Sequence, residues 1–148
     1  MANVSQLIEK LNSHFNGTLE LSEDEQAIYV QKENIVNVLQ TLKESHNYFM
    51  LADLTCVDYE DRFEVVYHLV LKENADLLRV KVKLPKEAPK IASAVPVWKA
   101  ADVQEREAYD LMGIVFEGHP DMKRILLSDD FVGHPLRKDF KLETVSRF

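Results

Sequence analysis

The charged residues that could act together lie between positions 102 and 138. Glu105, Arg106, Glu107 and Asp110 form the densest group, and Asp102 and Asp110 stand four residues on either side of Arg106. On a helix that spacing lets each acid reach the arginine. The ordinary reading is a solvated helix face whose ion pairs contribute tenths of a kcal/mol. An acid/base pair of Glu105 and Glu107 is a poorer reading. Residues two apart do not face the same substrate, and no serine, cysteine or histidine nucleophile pattern accompanies them.

Histidine enters twice in one phrase. Phe116-Glu117-Gly118-His119-Pro120 is followed by Lys123-Arg124, and Phe131-Val132-Gly133-His134-Pro135 by Arg137-Lys138. His119 and His134 lack the i, i+4 spacing of a helical zinc site. Pro120 and Pro135 push each toward extended geometry, which suits loop histidines bonded to backbone or to a partner. The basic pairs share their segment with Glu117, Asp121, Asp129, Asp130, Asp139 and Glu143. A field this mixed fits ion pairs within an assembly better than phosphate binding. Cys56, in an apolar run, reads as an inert core thiol. No glycine-rich phosphate loop occurs.

Periodicity supplies the elements that must hold these residues. Val4, Leu7, Ile8, Leu11 and Phe15 recur at helical spacing, with Asn3 and Gln6 placed as a capping box and Asn16-Gly17 as a stop. Ile35, Val38, Leu39 and Leu42 mark a second helix, and Thr18–Leu21 and Ala27–Gln31 read as short strands. Tyr48–Tyr59 is nearly continuously apolar. Arg62–Lys72 and Leu77–Leu84 alternate with period two, and Glu60-Asp61 and Glu73-Asn74-Ala75 join them as hairpins. Pro85, Pro89 and Pro96 then break regular structure. A third helix runs to about Met112, with Asp102 and Glu105 at capping-box spacing and Gly113 at its C-terminal cap. The expected fold is α+β in two layers. A mainly antiparallel sheet, a long three-strand meander plus short N-terminal strands, is covered by helices. The core is expected over residues 1–112, with 113–148 an extended partner-binding tail.

The totals bound the function. The chain has 148 residues, 46% of them hydrophobic, which suits one domain. A net charge of −7 and a pI near 5.2 argue against nucleic-acid binding. A single cysteine makes no internal disulfide and cannot hold an iron–sulfur cluster. The first residues have no signal-peptide pattern, and no apolar run approaches the roughly 18 residues of a membrane span, so any membrane link is expected through partners.

A longer pattern narrows this outline. Glu105-Arg106-Glu107-Ala108-Tyr109-Asp110-Leu111-Met112-Gly113-Ile114, with Phe116, Gly118-His119-Pro120-Asp121 and Lys123-Arg124-Ile125-Leu126, resembles the signature of the C subunit of NADH–quinone oxidoreductase, the 30-kDa subunit family of respiratory complex I. Gly133-His134-Pro135-Leu136-Arg137-Lys138-Asp139-Phe140 and Asp53–Tyr59 leading into Arg62–Leu69 are similar to that family too. The resemblance covers about Leu51 to Phe140. Phe140-Lys141 departs from it, many relatives having an aromatic residue and then proline there. The resemblance implies a cofactor-free subunit of the hydrophilic arm, on the cytoplasmic or matrix side of the membrane. It implies packing against the D subunit and neighbouring iron–sulfur subunits, with flavin and clusters held by partners. Glu105, Arg106, Glu107, Asp110, Gly113, Phe116, His119, Pro120, Lys123, Arg124, His134, Pro135, Arg137 and Lys138 become interface candidates. The equivalent subunit of a membrane-bound hydrogenase or other-donor dehydrogenase, a small free-standing enzyme and an adaptor domain are the competing readings.

Overall fold

The structure, a computed structural model, describes residues 3–141, so the ends of the two expected segments, 1–2 and 142–148, lie outside the described residues. The first helix, α1, spans Val4–Asn12, and Asn3 Oδ1 accepts the Gln6 N–H at 3.1 Å. It ends short of Phe15. Tight turns continue to Asn16 (φ 55°) and Gly17 (φ 69°), whose left-handed backbones stop the coil where the sequence puts the stop. The Asn12 side chain grips both backbone groups of Leu19 and turns the chain into β1, Glu20–Leu21. Ser22 folds the acidic turn back into β2, Ala27–Tyr29, with its hydroxyl accepting the Ala27 N–H at 3.0 Å. A short 3-10 turn, Lys32–Asn34, leads into α2, Ile35–Ser45, which buries Ile35, Val38, Leu39 and Leu42.

Three long strands follow: β3, Tyr48–Asp58; β4, Arg62–Leu71; and β5, Leu77–Pro85. They form the expected antiparallel meander within a five-stranded sheet of order β1-β2-β5-β4-β3. The sheet is mixed, because β2 joins β5 in parallel, Ile28 opposite Val80. Phe63, Val65, Tyr67 and Leu69 of β4 and Leu78, Val80, Val82 and Leu84 of β5 meet the apolar stripes of α1 and α2 in one core. On the reverse face of β4, Glu64, Val66 and Val70 are buried as well.

A second sheet pairs β6, Lys90–Ala92, with β7, Val115–Glu117, in parallel. Between them lies α3, Ala101–Met112. The capping box expected of Asp102 and Glu105 does not form. The N-cap position is Ala100, Asp102 lies inside the helix, and Glu105 is turned into the core. Gly113 ends α3 in the left-handed region at φ 76°, as expected. Residue 112 is not a structural break, since Ile114 and Phe116 are fully buried members of the core. Among the described residues no helix is long and apolar enough to cross a membrane.

Candidate functional site

The charged helix and the segment after it form one construction: residues 118–140 run back along α3 as a strap. Asp110 is its anchor. Its buried carboxylate accepts the N–H groups of Ile125, Leu126 and Leu127 at 3.1, 2.7 and 2.9 Å and the Arg124 guanidinium at 2.6 Å. Burial alone would raise its pKa. The Leu127 amide, Arg124 and the other two amides outweigh that and hold the carboxyl below its ordinary range. Arg124 also donates to the carbonyls of Asp110 and Gly133.

The strap also completes the C-terminus of α3, whose last carbonyls have no intrahelical partner. His134 Nδ1 lies 3.0 Å from the Asp110 carbonyl, the Leu136 N–H donates to Leu111, and Arg137 Nε donates to Met112 at 2.7 Å. Gly113 lets the strap close, because a Cβ there would lie 2.8 Å from His134 Cδ2. At the other end His119 does the matching work. Its Nδ1 accepts the Asp121 N–H, and Nε2 lies 3.1 Å from the Asp102 carbonyl and 3.0 Å from Asp102 Oδ1. An acceptor at Nδ1 puts the imidazole proton on Nε2, which donates to the Asp102 carbonyl, while the buried Asp102 Oδ1 beside it has no hydrogen-bond partner among the described residues. The two His-Pro phrases therefore pin the first and last turns of one helix.

The sequence places the right residues together but mispairs them. Arg106 forms neither expected ion pair. It spans the strap instead, donating to the carbonyls of Lys123 and Arg124, each at 3.2 Å. Asp102 faces His119, and Asp110 takes Arg124. Lys123 is exposed beside Asp121, and Pro120 is exposed. Pro135 is half-buried, and Lys138 contributes only its backbone N–H, to Asp58 Oδ2 at 2.8 Å. Phe116 packs in the core, so it is not available to a partner. Glu107 is exposed, with no hydrogen bond or ion pair to any described residue.

Glu105 faces inward and accepts from Ser93 Oγ at 2.5 Å and the Ala94 N–H at 2.9 Å. Burial pushes its carboxyl above the ordinary range, despite these donors and His119. Tyr67 Oη is buried without a hydrogen-bond partner among the described residues. Burial, with Glu105 a secondary influence, raises its pKa too. Sequence reasoning missed Ser93, Tyr67 and Asp58 as partners. Asp58 and Tyr67 carried a signal, as parts of the family-like run, and Ser93 carried none. Among the described residues no group of three or more histidines, cysteines and acids could hold a metal ion. The site binds and positions its own chain, and it defines a small α+β domain clasped by its own C-terminal strap.

Comparison with known proteins gives that domain its place. The family described as respiratory-chain NADH dehydrogenase, 30 Kd subunit, matches residues 28–146. The C subunit of the NADH-quinone oxidoreductase of Moorella thermoacetica is 51% identical over 123 residues, 82% of this chain and 83% of that one. The fused C/D subunit of Bdellovibrio bacteriovorus is 46% identical over 76% of this chain and 20% of its own length. Among solved structures, the trypsin-resistant fragment of Nqo5 superposes with a TM-score of 0.64 at 28% identity, covering 81% of this chain and 99% of the fragment. A chain of an archaeal membrane-bound sulfane sulfur reductase superposes at 0.79 and 25% identity, covering 97% and 94%. The chain belongs to the 30-kDa subunit family of the respiratory-chain NADH dehydrogenase.

Proposed function

We propose that this chain is a cofactor-free structural subunit of the hydrophilic arm of NADH–quinone oxidoreductase, supporting electron transfer from NADH to quinone coupled to proton translocation. One observation carries the cofactor-free part. The buried motif groups, Asp110, Arg124 and Glu105, have their bonds taken up within the chain, so the motif itself presents none of these three to a cofactor. Identity of 51% to a C subunit supports the assembly. The D subunit is the proposed neighbour, with iron–sulfur subunits nearby. Support for it comes from the Bdellovibrio relative, in which C and D are one polypeptide. Membrane attachment runs through those partners, on the cytoplasmic or matrix side.

The test is affinity recovery of the tagged full chain from solubilised membranes. Recovery with flavin, iron–sulfur and membrane subunits is expected, and the chain purified alone should be colourless. Recovery alone from the soluble fraction, with turnover of a small substrate, would overturn the reading. The likeness to the sulfane sulfur reductase chain, at TM-score 0.79, favours a second reading, the same subunit role in a complex fed by another donor. The electron-input subunits that copurify decide between the two.

A further inference from the structure

The outer edge of β3 is open at Cys56, and the surroundings of that residue suit one kind of partner. The N–H of Tyr59 donates to the Arg62 carbonyl at the hairpin end, and the register runs without a shift from Leu54 opposite Tyr67 to Asp58 opposite Phe63. Alternation along an antiparallel pair then turns the backbone groups of Thr55 and Val57 toward β4 and those of Leu54 and Cys56 outward. The chain covers much of this edge itself. Gln104 Oε1 accepts the Leu54 N–H at 2.5 Å, and Trp98 Nε1 donates to the Phe49 carbonyl at 3.2 Å. The N–H and C=O of Cys56 have no partner among the described residues.

Cys56 lies in a groove of about 150 Å³ between β3 and α3, walled by Ala108, Leu111 and Met112. Burial pushes its thiol up to about 12, so it forms an uncharged wall. The charged residues of the groove are Asp53 and Glu107, both acids. Asp53 has His68 at 3.8 Å, whereas Glu107 has no partner on this chain among the described residues. Glu107 belongs to the family-like motif, yet it alone of the motif's acids on α3 is not engaged by the strap or the core.

We infer that this groove receives an extended segment of a neighbouring subunit, with a lysine or arginine two residues from an aliphatic residue. The inference rests on the assembly proposed above. One residue of the segment exchanges both backbone hydrogen bonds with Cys56, as in a hydrogen-bonded antiparallel pair. A residue directly opposite Cys56 projects to the same face of the sheet, which seats its aliphatic side chain against Ala108 and Leu111. The cation, two residues along the strand and therefore on the same face, meets Glu107 at the rim and carries the charge complementarity of the contact.

The test compares amide hydrogen exchange of the full chain alone with that of the chain in the solubilised, copurified complex. Thr55 and Val57 are bonded to β4 in both states, so the difference reports on Cys56. Exchange at Cys56 is expected to slow by about tenfold or more in the complex. Glu107→Lys should lower recovery of partner subunits about tenfold, and Glu107→Gln by less. Unchanged exchange at Cys56 in an intact complex would overturn the inference and leave the assembly reading standing. Protection already present in the chain alone at high concentration would assign the groove to a second copy and overturn it too. Normal recovery with Glu107→Lys would overturn the basic partner. Failure of the unmodified chain to copurify with any other subunit would instead sink the assembly reading.

Discussion

Arg124 and Asp110 form the closure of the domain. The guanidinium reaches the carboxylate at 2.6 Å, and the same arginine ties the helix carbonyl to the strap carbonyl of Gly133. With side-chain exposures of 11% and 0%, the pair is screened from water, so its members depend on each other.

Asp110→Asn is expected to destabilise the chain by about 3–5 kcal/mol, because its oxygen can keep the three backbone donors only by turning the amide NH2 against the Arg124 guanidinium, which is left unpaired. Limited proteolysis should then cut the strap before the sheet, with unfolding by denaturant giving the magnitude. A variant that melts normally and resists protease would show the clasp to be dispensable. The acid dependence follows in sign. The carboxyl is held low in the folded state, so its stabilisation is complete above the unfolded value, about pH 4, and is lost as the pH falls through the depressed folded value.

Glu105 behaves in the opposite sense. Its folded pKa is raised, chiefly by burial, so the folded state binds the extra proton and stability falls as the pH rises from about 4 through the raised value. Glu105→Gln removes the cost of burying the ionised form. Its melting temperature relative to the unmodified chain should therefore improve from about pH 4 to about pH 8. A difference independent of pH would show that Glu105 carries no such linkage.

Gly113→Ala combines two penalties. A left-handed alanine costs about 1–2 kcal/mol, and the new methyl meets His134, whose ring is fixed by the Asp110 carbonyl and by its edge contact with Tyr109. Adding His134→Ala should relieve the clash but not the backbone strain. The double mutant is then less destabilised than the sum of the two singles. Simple additivity in thermal melts would place the ring away from the glycine.

Arg106→Ala should cost about 1–2 kcal/mol, the range for two hydrogen bonds to backbone carbonyls. Had it paired with Asp102 and Asp110 inside a closed interface, its loss would leave those acids unpaired at about 3–5 kcal/mol. The structure shows no such pairing: Asp110 takes Arg124, Asp102 lies against His119, and Arg106 bonds to carbonyls of the strap. A loss near the larger figure in a denaturant melt of the isolated chain would mean that the arginine does pair with them.

These pairings also mark where the sequence stopped being legible. The meander, α1, α2 and the end of α3 at Gly113 follow from periods and turn residues that act over a few positions. What was misread depends on contacts between distant segments. Spacing of four offered Arg106 to Asp102 and Asp110, but His119 and Arg124, brought back by the strap, took those acids. The apparent capping box failed because Ser93 and Ala94 present donors to Glu105 inside the core. The segment after Gly113 has little periodicity of its own, since its order comes from the carbonyls and carboxylate of α3, a dependence that composition does not reveal.

The parallel pairing of β2 with β5 bears on how the chain is made. The N-terminal unit, α1 through α2, leaves the ribosome first but joins the sheet through a strand that lies beyond both β3 and β4. Until β5 is available, Ile28 and the apolar stripe of α2 have no completed surface to cover. The meander, built from hairpins between neighbours in sequence, can assemble ahead of that long-range contact. The β2–β5 pairing is therefore expected to form after the meander, onto a template that already exists.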